Sequence, residues 1–369
     1  MKVVTNKESL LKALSTAQEA ISNKSYVSIL SNVLLKTAEN KVIVQSTDLK
    51  VSIITSFGAD IEEDGETTIF ADKLISSVSS LPSGEIEISS KDNEVIVKPL
   101  GKKIKFSINS IATDKFPVID SFKEDGSFYI AAKDLKKLAY NTIFAVSTDS
   151  CRYFMTGCYL TKSEDKLTMV ATDGRRMSVC KLDSFIPEVK SCIIPTKILA
   201  LCIKFCDEGD VKVNISDKLL MIKYGNLEMT TVLIEGQYPK WERVLPESYN
   251  NTVSVAKADI EAAIKRVFVM SDKSGRIKLN MESGKIIVSS PESEIGKSKE
   301  EIEAKYNGEP IEIALNAQYL TDILKVLTAE NITFDFIVEE DKSVKRAIAV
   351  KDSEKASSNC THVMMPMSL

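Results

Sequence analysis

The stretch KLTMVATD, residues 166–173, reads as a strand running into a turn, and the chain spells nearly the same thing twice more, as KVIVQSTD at 41–48 and KIIVSSPE at 285–292. The copies lie 125 and 119 residues apart, so duplication stands against chance. Their neighbours decide it. Upstream of each lies a helix-like segment, ESLLKALSTAQEAI, KDLKKLAYNTIFAV or ADIEAAIKRVFVM, with Leu10, Leu135 and Ile260 at a constant spacing of 125. Downstream comes a second, ADKLISSVSSL, PTKILALCIKFC or NAQYLTDILKVL, with Lys73, Lys197 and Gln318 in equivalent places.

Apolar period supports the helices: Ile260, Ala263, Ile264, Val267 and Phe268 share one face, as do Leu320, Ile323, Leu324 and Leu327. Between the second helix and the next third run short alternating segments, EIEISS, EVIVKP and KIKFSI in the first third and VKVNIS, LLMIKY and EMTTVLI in the second. Gly, Asp, Asn or Ser separates them, which predicts antiparallel strands. The fold class is α+β: three repeated units of about 120 residues, each with two helices backed by antiparallel sheets. Polar, turn-rich SFKEDGS and LPESYNNT set the expected domains at 1–121, 122–248 and 249–369.

A chain of 369 residues with 44% apolar and 27% charged side chains is globular and has room for two or three domains. It shows no charge-free apolar run of about 18 residues and no apolar stretch behind MKVVTNKESL, so no membrane partner is expected and a cytoplasmic location is. Seven cysteines without a CxxC argue against a disulfide framework or a zinc site and leave most of them as small core residues. A single histidine, His362, leaves a catalytic triad or a His-rich metal centre little to work with, so neither catalysis nor a cofactor is expected.

The net charge of −4 hides a segregation. The six helical segments hold 13 Lys or Arg against 7 Asp or Glu, leaving the remainder of the chain acidic. Lysine also simply solvates helices, but a small excess summed over the six predicts a weak attraction for phosphates, blind to sequence. PESEIGKS, 291–298, imitates a phosphate loop, yet Pro291 lacks an N–H and Glu292 and Glu294 would repel phosphate; a charged surface loop is the plainer account. In ATDGRRM, 171–177, Asp173-Gly174 gives a tight turn beside which Arg175 and Arg176 project. VMMPMSL, 363–369, is an unusually apolar terminus that suits either a last core strand or an adaptable peptide groove.

With three repeats, ATDGRRM, GQYPKWERVLP and MMPMSL, the chain resembles the beta sliding clamps, processivity subunits of bacterial replicative DNA polymerase III. SILSNVLL, CRYFMTG and FPVID extend the resemblance from end to end. It implies a non-enzymatic protein: a head-to-tail homodimer whose six domains close into a ring around double-stranded DNA, helices inside. It also implies client partners, namely the polymerase catalytic subunit, the clamp loader and other replication or repair proteins. By resemblance the DNA-facing residues are Lys24, Lys73, Lys137, Tyr153, Lys197, Lys265 and Arg266. The client-peptide cleft takes Arg152, Phe154, Met155, Thr172, Gly174, Arg175, Arg176, Met177, Pro239, Val244, Val363, Met364, Met365, Pro366 and Met367. Arg175 stands where the family commonly has histidine, and Ser368 where it has arginine. Subunits are expected to meet through edge strands, Phe106 and Ile108 against Val269 and Met270. Rival readings are an enzyme with a phosphate site in ATDGRRM or PESEIGKS, and a sequence-specific DNA regulator.

Overall fold

The structure, a computed structural model, describes residues 1–21, 28–163, 165–183, 189–271, 274–292, 294, 296–353 and 359–368. All six expected helices are present: α1 (Lys7–Gln18), α2 (Ala71–Ser80), α3 (Ala132–Thr142), α4 (Thr196–Phe205), α5 (Lys257–Phe268) and α6 (Ala317–Val326). The first helices of the three thirds, α1, α3 and α5, begin at intervals of 125 residues. Asn6 opens α1 by accepting from Glu8 N at 2.9 Å, and Asn316 opens α6 by accepting from Tyr319 N at 3.0 Å. Such caps satisfy amides that have no partner within the helix.

The chain forms two compact units, Met1–Lys133 with Lys204–Leu233, and Asp134–Ile203 with Ile234–Leu369. In the first, a five-stranded sheet runs in the order Asp60–Glu63, Lys2–Asn6, Glu85–Lys91, Glu94–Pro99, Phe106–Asn109. An eight-stranded sheet accompanies it, in which Glu228↔Ile54 to Thr231↔Val51 pairs a strand of the second third with one of the first. Leu10 and Leu14 of α1 and Leu74 and Val78 of α2 fill the core with Val3, Val44, Ile86 and Ile88.

The second unit is built on a twelve-stranded antiparallel sheet. Its central join pairs Arg176–Leu182 with the final strand Cys360–Met364, in register from Arg176↔Met364 to Cys180↔Cys360. Ile260, Ile264, Leu320, Ile323 and Leu324 cover the core made by Val253, Ile277, Phe334 and Ile348. The three opening copies are all strands, Lys41–Thr47, Lys166–Thr172 and Lys285–Ser289, each paired on both sides.

Three expectations change. Phe268 is 42% exposed, because on the α5 wheel it lies near the margin of the apolar stripe, about 90° from its centre. The run KIKFSI forms a strand only from Phe106 onward. Cys180 and Cys360 form a disulfide, Cα atoms 4.0 Å apart; the partners are 180 residues distant in sequence, and only strand register brings them together. Outside the disulfide, Cys158, Cys192, Cys202 and Cys206 are buried core residues and Cys151 is exposed. Burial pushes the Cys158 and Cys192 thiols up to about 12, which makes them inert.

Candidate functional site

The strand Lys166–Thr172 ends in a turn closed by its own polar side chains. Asp173 Oδ1 accepts from Arg175 N at 2.8 Å and Arg176 N at 3.0 Å; Thr172 Oγ1 donates to Arg176 O at 2.7 Å and accepts from Gly174 N at 3.0 Å. Gly174 has φ +86°, and a Cβ there would meet Arg152 Nη1 at 3.0 Å, so the position requires glycine. Arg152 braces the turn from outside, donating to Asp173 O at 3.0 Å.

Beside this turn opens a cavity of about 1060 Å³. Gly174, Arg175, Arg176 and Met177 form one wall, Val363, Met364 and Met365 another, and Val244 and Leu245 a third. The last two follow the buried Trp241, whose short 3-10 helix (Trp241–Val244) fixes them. Beneath lie Val170, Val179, Ile193, Tyr238 and Ala349, with Tyr159 stacked on Tyr238 at 4.8 Å. Val244 and Met365 remain open to solvent, 43% and 39% exposed, which marks apolar surface suited to a partner.

Of the fifteen cleft residues expected from sequence, Thr172, Gly174, Arg175, Arg176, Met177, Val244, Val363, Met364 and Met365 line the cavity. The other six do not. Arg152 braces the Gly174 turn, Phe154 packs against the cluster underneath, Met155 is buried, Pro239 accepts from Trp241 N within the neighbouring turn, Pro366 is half-buried, and Met367 donates its N–H to Ala314 O at 2.8 Å. Sequence reasoning missed Glu242, Arg243, Leu245, Pro246, Glu247 and Ser248, most of which the quoted GQYPKWERVLP already contains. It also missed Ile337, Lys345, Arg346 and Ala347, which no motif signals.

The arginines differ. Arg175 is exposed, whereas the Arg176 side chain, only 11% exposed, turns away from solvent to pair with Asp173 at 3.2 Å and Asp322 of α6 at 2.8 Å. Its guanidinium carbon also lies 4.4 Å from the Tyr319 ring centre and 5.6 Å from that of Phe144. The two arginines therefore do not project together beside the turn as expected. Lys345 and Arg346 pair with Asp341 at 2.5 Å and Glu339 at 3.0 Å.

Among the expected DNA-facing residues, Lys73 on α2 and Lys265 on α5 are exposed, and Lys137 on α3 and Lys197 on α4 are half-buried. Tyr153 is 53% exposed and stands edge-on to Phe154. Arg266 is exposed but engaged by Glu300, Nε to Oε2 at 2.7 Å, and that bond raises its pKa. Lys24 lies outside the described residues.

Phe106 and Ile108 sit half-buried on the outermost strand of the five-stranded sheet. Val269, 78% exposed, and Met270 are not on an edge strand as expected; they follow α5, where Met270 N bonds back to Val267 O at 3.1 Å and winds the chain on past the helix. In PESEIGKS, Lys297 pairs with Glu292 at 3.6 Å; residues 293 and 295 lie outside the described set.

Models of the N-terminal, central and C-terminal domains of the DNA polymerase III beta subunit match residues 1–120, 129–240 and 242–368. The beta sliding clamp of Treponema pallidum is 35% identical over 375 residues, covering 100% of this chain and 99% of that one. The Escherichia coli beta sliding clamp is 26% identical over 376 residues, with both chains fully covered. Among solved structures, the sliding clamp of Bartonella birtlesii bound to griselimycin aligns over both whole chains with a TM-score of 0.93 at 27% identity. A Pseudomonas aeruginosa clamp gives 0.92, also at 27%.

Three consecutive clamp domains define a processivity factor that acts on DNA within the replication machinery; no helix among the described residues is long and apolar enough to cross a membrane. The chain belongs to the bacterial DNA polymerase III beta subunit family, the beta sliding clamps. Its function is to encircle duplex DNA without reading sequence and to tether polymerase and other clients; it is not an enzyme.

Proposed function

We propose that the cavity between the Gly174 turn and the final strand receives a short, partly extended client peptide with aliphatic and aromatic anchors, and that the fifteen residues expected from sequence act as its lining or immediate support. The carrying observation is the apolar lining of Met177, Val363 and Met364 beside solvent-open Val244 and Met365. Buried anchors in such a pocket supply most of the binding energy, and a surrounding rim excludes water.

In this reading the domains are 1–121, 122–248 and 249–369, in keeping with the three family matches. Two cytoplasmic copies close head to tail, with Phe106 and Ile108 of one meeting Val269 and Met270 of the other. Lys24, Lys73, Lys137, Tyr153, Lys197, Lys265 and Arg266 face the DNA. Arg266 contributes least, since Glu300 already balances its charge.

A fluorescent synthetic peptide with leucine and phenylalanine anchors tests the cleft by anisotropy. Val244→Ala with Met365→Ala should weaken its binding about tenfold, the loss of two partly exposed anchor contacts. Unchanged binding by a folded double variant would move the client site elsewhere.

A further inference from the structure

We infer that Asp322, on α6, is a positioning residue of the client cleft, acting through Arg176. The inference rests on the reading of the cavity as the client site. Arg176 lines that cavity, and its guanidinium is held by two carboxylates: Nε faces Asp173 Oδ2 at 3.2 Å and Nη1 faces Asp322 Oδ2 at 2.8 Å. The Tyr319 ring of α6 stands 4.4 Å from the guanidinium carbon.

Asp173 belongs to the same turn as Arg176 and moves with it, so it cannot fix where the side chain points. Asp322 can, because it comes from another element 146 residues away. The carboxylate is itself held by Gln318 at 2.9 Å and Lys325 at 3.1 Å, both on α6. Burial would raise its pKa, but the bonds donated by Arg176, Lys325 and Gln318 outweigh burial and hold it below the usual carboxylate range. Asp322 therefore stays charged wherever the protein is folded at neutral pH.

A planar guanidinium clamped between two carboxylates and against a ring is rigid, and charge-assisted bonds of this kind are the strong ones. Released from Asp322, Arg176 leaves the Tyr319 ring and sweeps the cavity, and the peptide must then bear the cost of ordering it. Asp322 touches no client; its role is to keep the wall of the cleft in place before a client arrives.

The test is a double-mutant cycle read by affinity for the fluorescent leucine–phenylalanine peptide, with melting temperature as the control for folding. Asp322→Asn keeps the shape and removes the charge; it should weaken the peptide about tenfold, the scale of one charge-assisted bond. Arg176→Ala should also weaken it, and Asp322→Asn should add nothing in that background. Asp322→Glu, which restores a carboxylate, should recover part of the affinity. If Arg176→Ala weakens the peptide and Asp322→Asn does not, or if the two losses simply add, the positioning role is overturned while the cleft stands. If Arg176→Ala leaves the affinity untouched, the cleft reading itself fails.

Discussion

His362, the single histidine of the chain, sits in the core as a structural residue. It is fully buried; its Nδ1 lies 2.8 Å from Ser178 Oγ, and its Nε2 has no partner. Ser178 gives its own proton to Asn141 O, so Nδ1 must carry the hydrogen and donate, leaving Nε2 as a lone pair in an apolar setting beside Phe144. Protonating Nε2 would bury an unpaired charge. Burial accordingly lowers the pKa to about 4, against the opposing charge of Asp352. Because the folded value lies below the unfolded one near 6.5, the unfolded chain binds the extra proton. Stability from this group is complete above about pH 6.5 and is lost as pH falls towards 4, roughly 3 kcal/mol in all. His362→Asn retains a donor towards Ser178 and cannot titrate, so its urea midpoint should fall less than that of the parent between pH 7 and pH 4.5. Parallel pH profiles would show that the imidazole stays exposed to protons.

At the scale of elements, the final strand carries Val363 and Met364 into the cavity and is bonded on both sides, to Arg176–Leu182 and to Ile348–Asp352. The Cys180–Cys360 disulfide adds a covalent tie across a 180-residue separation. Closing so long a loop restricts the unfolded chain, an effect worth about 2–4 kcal/mol. Cys180→Ser should remove that amount from the oxidised protein and change the dithiol form by less than about 1 kcal/mol, which unfolding with and without reductant will separate. The two ladders keep the strand in place in either state. Elements of this sort divide into those a sequence announces and those it cannot. Helices α1, α3 and α5 are legible because an apolar stripe recurs at a fixed 125-residue interval, and the Gly174 turn because Asp-Gly has a local geometry. The pairing of Cys180 with Cys360 and the cavity wall at Lys345–Ala347 depend on strand register across distant segments, and the Arg176–Asp322 clasp on where α6 packs. Register is set by the whole sheet, not by neighbours in sequence. Val269 misled for another reason: the resemblance placed the subunit contact on edge strands, whereas this residue lies just past the end of α5, where the chain winds on.

Across the whole molecule, the question is how a chain of net charge −4 stays on a polyanion. Affinity cannot do it, because strong phosphate contacts both require clustered cations and resist sliding. Enclosure can, since leaving then depends on an opening or a DNA end and only weakly on contact energy, and the lysines proposed to face the DNA need only act over a Debye length of about 8 Å without gripping. The two possibilities respond oppositely to topology and salt. Loaded by its clamp loader onto nicked circular DNA, the protein should co-elute with the DNA at ionic strengths well above physiological, and should be lost after a single restriction cut. Phe106→Ala with Met270→Ala, directed at the proposed subunit contact, should sediment as a monomer and fail to stay on circles, while still binding the leucine–phenylalanine peptide. Lys73→Ala with Lys265→Ala should leave retention on circles nearly intact and change how fast the protein runs off a cut end. Salt-sensitive binding that ignores the cut would instead mean that the lysines grip the DNA, and would exclude enclosure as the source of processivity.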